Sequence, residues 1–202
     1  MKLIPLGKPQ QRSALDLLKA QHDEVKALFK RIEKASTRSA KIKFFDELAA
    51  NLAAHDAIER EIFYPACEKA LGMTDLLGEA LVEHGVVEFS LFQADRAKKD
   101  RDFSFKCQVL SELVEHHVKE EEEDFFPKVQ KAMGKEKLLE LGARMSERFE
   151  QAKGRDFHAA LKSNLKQVLA GTLKPTKRGG RTSASSSRKA PTLPSRRRKA
   201  AA

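Results

Sequence analysis

The chain has 202 residues, 41% of them hydrophobic, which is enough for one packed domain of ordinary size plus appendages. Met1 to Pro5 opens no apolar run of signal-peptide length, no stretch approaches a membrane span, and two cysteines exclude a disulfide framework, so a cytoplasmic, reducing setting is expected. The formal charge of +10 is carried by the C-terminal end alone: residues 171–202 hold ten Lys and Arg, and the rest of the chain balances 29 basic against 29 acidic residues.

Residues 1–11 read as a flexible lead. From Ser13, a plausible N-cap, Leu15, Leu18, Val25, Leu28, Phe29 and Ile32 recur at helical steps until Ala35–Ser39 breaks the pattern. A second helical run carries Phe44, Phe45, Leu48, Leu52, His55, Glu59, Ile62 and Phe63. Pro65 is expected to kink it or mark its last turns, and Gly72–Asp75 to end it. A third run from about Thr74 holds Leu77, Leu81, His84, Glu88, Leu91 and Phe92. Lys98–Asp102 connects it to a fourth, with Phe105, Val109, Leu113, His117, Glu121 and Phe125, closed at Gly134 after Pro127. Period-two alternation is absent, so no strand is expected. Residues 136–170 read as a helical extension divided near Gly154. Residues 171–202, rich in Lys, Arg, Ser, Pro and Gly, cannot bury enough surface to offset their ordering entropy and are expected to be disordered.

Two stretches repeat. His55-Asp-Ala-Ile-Glu59 and His117-Val-Lys-Glu-Glu121 each place an imidazole and a carboxylate at i and i+4, neighbours on one helix face. Each is followed by an aromatic pair and a proline ten residues after the histidine. The offset of 62 also relates His22 to His84, Val25 to Val87, Leu48 to Leu110 and Leu52 to Val114. Two similar helical hairpins are therefore expected to pack as an all-α, up-down-up-down four-helix bundle over residues 12–135, with one or two further C-terminal helices and a basic tail. The offset selects His117 over His116, which falls opposite Ala54, and Glu121 from the run Glu120–Glu123.

One symmetry fails: His84 is followed at i+4 by Glu88, but His22 by Lys26. The inward set is then His22, His55, Glu59, His84, Glu88, His117 and Glu121. Seven ligands exceed one tetrahedral zinc and suit two ions of the di-iron or di-manganese kind. Buried without cations, the three carboxylates are expected to hold on to protons.

One histidine on the first helix, His-x-x-x-Glu on the second and fourth, and a His-led pair on the third resemble the hemerythrin-like HHE domain, over roughly residues 12–135. The resemblance implies a non-haem di-iron centre in which Glu59 and Glu121 bridge the ions. It implies that His22 and His55 hold the iron with an open site, and that His84, Glu88 and His117 hold the other. Oxygen-carrying hemerythrins have a histidine where this chain has Glu88. The departure favours redox chemistry, iron handling or sensing over reversible oxygen carriage. The small molecule implied is oxygen, nitric oxide or peroxide, bound for sensing, storage or detoxification; an enzyme that decomposes peroxide or reduces nitric oxide would use the same ligands. Lys26 is expected either to snorkel into solvent or to face the open iron. Tyr64 is read as packing and His158 as exposed and unpartnered. The basic tail is either a solvated appendage or an arm that binds nucleic acid nonspecifically.

Overall fold

A computed structural model describes residues 12–154 and 156–169; the basic tail read from 171–202 and the lead at 1–11 lie outside them. The described residues are helices joined by short turns, with no strand among them. Helices α1 (Ala14–Lys34) and α2 (Arg38–Ile58) form one antiparallel hairpin. Helices α4 (Asp75–Arg96) and α5 (Phe103–Glu120) form the second. A short α3 (Tyr64–Leu71) follows α2, and a long α6 (Phe126–Lys153) follows α5. α7 (Phe157–Leu169) packs against α2 and α4.

The starts are set by local chemistry. The side chains of Ser13, Thr37 and Thr74 accept backbone N–H bonds from Asp16, Ala40 and Leu77, filling donors that a first helical turn leaves unpaired. The expected kink at the prolines takes a different form. Each helix widens into a π turn, Glu59–Phe63 and Glu121–Phe125, and then continues. Pro65 and Pro127 have no N–H for the carbonyl four residues back. The ladder instead shifts by one, with Tyr64 N–H reaching Glu59 O and Phe126 N–H reaching Glu121 O. The repeat extends further: Gly72 and Gly134, 62 apart, have positive φ of 77° and 73°. Gly134 breaks α6, so its second part turns back across α1 and α2.

The fourth helical run keeps His117, Glu121 and Phe125 inward as expected, and departs from expectation only at Phe105 and Val109. Phe103, Cys107, Leu110, Val114 and Val118 face the core, while Phe105 and Val109 are exposed. Two apolar stripes run along the first half of α5, and the one holding Leu110 and Val114, 62 residues after Leu48 and Leu52, goes inward.

Two apolar clusters fill the bundle. One gathers Leu18, Ile58, Phe63, Phe125, Phe126 and the second part of α6. The other gathers Leu28, Phe45, Leu48, Phe103, Leu110 and, from α7, Leu161 and Leu165. Between them lies a layer of buried histidines and glutamates.

Candidate metal centre

Each of α1, α2, α4 and α5 contributes one buried histidine to this layer: His22, His55, His84 and His117. Glu59 and Glu121 open the two π turns, and each is at most 2% exposed. Glu59 Oε2 lies 3.1 Å from His55 Nε2 and 3.2 Å from His84 Nε2. Glu121 Oε2 lies 3.5 Å from His22 Nε2 and 3.6 Å from His117 Nε2. Two overlapping ligand sets result: His22, His55, Glu59 and Glu121, and Glu59, His84 and His117.

The outer ring nitrogens are all engaged. Nδ1 of His22 meets Glu122 at 2.7 Å, Nδ1 of His55 meets Gln21 Oε1 at 2.8 Å, Nδ1 of His84 meets Asp56 at 2.7 Å, and Nδ1 of His117 meets Glu83 at 2.8 Å. Each partner is an oxygen acceptor, so each Nδ1 carries a proton and each Nε2 points inward, the atom each imidazole would offer a metal. His22 Nε2, both oxygens of Glu59 and Glu121 Oε2 are buried without a hydrogen-bond partner. Orphaned acceptors converging from α1 and from the π turns after α2 and α5, at this cost, fit a cation between them.

The electrostatics show the same strain. Burial and the neighbouring Glu59 carboxylate push the Glu121 carboxyl well above its ordinary range. Burial alone would raise Glu59 too, but His55 and His84 beside it hold it well below that range. The expected uniform rise of the three carboxylates is thus split, because Glu59 sits between two imidazoles and Glu121 faces Glu59. Burial opposes charge on His84, yet Asp56 and Glu59 lift it to about 10. Burial drives His22 down to about 4 in spite of Glu122.

Glu88 is placed apart from both ligand sets. Burial and then Asp56 raise its carboxyl to about 8. Arg60 Nη2 donates to it at 3.3 Å, and the Asn164 amide also donates to it. Arg60 in addition donates to Asp56 at 2.7 Å. Lys26, more than a third exposed, lies 3.9 Å from Glu122 rather than over the centre. The pairs Lys26–Glu122 and Arg60–Glu88 are counterparts under the 62-residue repeat, with the sign of each charge reversed.

Tyr64 is more than packing. Its hydroxyl donates to Glu121 Oε1 at 2.9 Å and lies 2.8 Å from His84 Nε2. Gln21, Asp56, Arg60, Glu83, Glu122 and Asn164 were not singled out by sequence. A signal existed for two of them: Gln21 and Glu83 each precede a motif histidine and are themselves 62 apart. His116 faces solvent, as the repeat implied. His158, expected to lack a partner, meets Asp95 of α4 at 3.3 Å and Asp156 at 2.9 Å.

On the α7 side of the histidines lies a cavity of about 40 Å³, walled mainly by aliphatic side chains such as Val25, Leu52, Val87 and Val114. Leu161 and Asn164 also line it.

Comparison with known proteins agrees with this geometry. No curated protein matches the sequence. A crystal structure of a hemerythrin HHE cation-binding domain-containing protein from Mycobacterium kansasii is similar, with a TM-score of 0.65 and 29% identity, over 76% of this chain and 99% of that one. The Hemerythrin HHE cation binding domain family matches residues 13–129, which span α1 to the start of α6 and every histidine and glutamate of the two ligand sets. With its buried imidazole and carboxylate donors arranged to hold a cation, the chain belongs to the hemerythrin HHE cation-binding domain family.

Proposed function

We propose that the chain is a non-haem di-iron protein that binds oxygen, nitric oxide or peroxide beside its metal centre, for sensing, storage or detoxification. The observation that carries this reading is the orientation of the four histidines. All four are fixed by an outer acceptor at Nδ1, and their Nε2 atoms converge with unpaired carboxylate oxygens. Two overlapping sets that share Glu59 favour two ions bridged by a carboxylate over one. Mixed nitrogen and oxygen donors favour iron, with manganese the nearest substitute.

Iron, when bound, supplies Lewis acidity and one-electron redox chemistry. The protein's part is to place the ligands, exclude bulk water and admit something small. A cavity of about 40 Å³ suits that part, since a single water needs roughly 10–15 Å³ in the same measure. An organic substrate of metabolite size does not fit. A catalytic role in peroxide decomposition or nitric oxide reduction would use the same residues. The setting proposed is the cytoplasm, supported by two buried free cysteines.

Metal analysis of the purified full chain tests the centre. About two irons per chain are expected, with loss of at least one in His55→Ala. A metal-free chain whose fold is unchanged by His55→Ala would sink the reading. Adding peroxide or nitric oxide to the reduced, iron-loaded protein then separates binding from turnover by absorbance. A nucleic-acid arm in residues 171–202 is a separate proposal supported by its ten basic residues. Equal DNA mobility shifts by the full chain and a chain ending at residue 170, at low salt, would refute it.

A further inference from the structure

We propose that α7 closes the cavity beside the metal centre and that Leu161 sets the size of the molecule admitted. The inference rests on the reading that an exogenous small molecule binds at this centre. α7 lies beyond residues 13–129, so it is an addition to the four helices that carry the ligands. Those four helices wall the cavity with aliphatic groups, and Leu161, 3% exposed, is the apolar side chain that α7 contributes to its lining.

A loosely resting helix would impose no size limit, but this one is tied down at both polar ends of its contact. Asn164 Nδ2 donates to Asp56 Oδ2 at 3.0 Å and also to Glu88. Asp56 in turn orients His84. One turn before Leu161, His158 Nε2 reaches Asp95 on α4 at 3.3 Å. Leu165 provides an internal control. It is buried in the same apolar cluster and on the same helix, but it does not line the cavity. Truncating Leu165 loosens α7; truncating Leu161 enlarges the cavity.

The test uses the full, iron-loaded chain with azide and imidazole as probes, titrated by absorbance. Wild type is expected to bind azide, a linear group of three atoms, and to bind imidazole at least about tenfold more weakly. Leu161→Ala is expected to strengthen imidazole binding about tenfold or more while azide stays within about threefold. Leu165→Ala should leave both probes within about threefold. Iron content and helicity are checked in each variant. If Leu161→Ala loses either, Leu161→Val is read instead, with a smaller gain for imidazole in the same direction. Unchanged imidazole binding in the iron-loaded Leu161 variant overturns the proposal, as does an equal gain in Leu165→Ala. Failure of azide to change the spectrum of wild type with two irons bound would defeat the small-molecule reading itself, and this inference with it.

Discussion

Asp56 accepts the Nδ1–H of His84 and a hydrogen bond from Arg60 on one oxygen, and the Asn164 amide on the other. It touches no inward nitrogen, yet it fixes the tautomer and tilt of a ligand. Asp56→Ala is therefore expected to lower metal affinity about 10–100-fold, measured by competition with a chelator, while the helical content is kept. Tyr64→Phe removes a donor to Glu121 and is expected to cost roughly 1–3 kcal/mol in thermal or denaturant unfolding. Cys107 is a third residue-scale case. Burial pushes its thiol up to about 12, so almost no thiolate exists near pH 8, and alkylation of the native chain should proceed only as it unfolds. At this scale the histidines and their i+4 glutamates were legible because the same spacing occurs twice, and chance rarely repeats a pattern over 62 residues. The acceptors behind them were not. Glu122 and Asp56 look like any surface acid on a charged helix, and only the packing of hairpin on hairpin brings them to a ring nitrogen. Tyr64 was hidden for another reason. It aligns with Phe126, and the repeat that exposed the ligands made its hydroxyl look incidental.

The helices themselves follow their caps. Ser13 and Thr74 mark starts in the sequence as they do in space, Thr37 caps α2 from within the stretch read only as a break, and the π turns could not be read there. A proline announces a missing N–H but not whether the chain will bend, stop or absorb an extra residue. Apolar steps alone left two stripes along α5, one with Phe105 and Val109, and only the 62-residue offset to Leu48 and Leu52 points to the buried one. One contact between elements gives a sharp prediction. A Cβ on Gly142 of α6 would fall 2.2 Å from the Arg12 carbonyl oxygen and within 3 Å of backbone atoms of Ser13 and Ala14. Backbone at the capped start of α1 cannot yield as a flexible side chain can. Gly142→Ala is expected to destabilise the chain by about 1–3 kcal/mol, seen as a lower denaturant midpoint without a change in slope.

For the whole molecule, a metal that binds the folded chain and not the unfolded one adds to stability by mass action. At free iron about a thousandfold above its Kd the gain is about 4 kcal/mol. Stripping the metal should lower the melting temperature, and restoring it should recover the loss; equal melting with and without metal would contradict the assignment of the buried layer. The repeat has a consequence beyond the ligands. Lys26 and Arg60 both belong to the first hairpin, and their partners Glu122 and Glu88 both belong to the second. Were a hairpin to meet a copy of itself in this geometry, the first would set lysine against arginine and the second glutamate against glutamate, one of these contacts at a buried position. Like charges there are far more costly than the bridges they replace. The two halves share an architecture and a ligand pattern but carry opposite charges where they meet, a complementarity that favours pairing one half with the other over pairing either with its own copy.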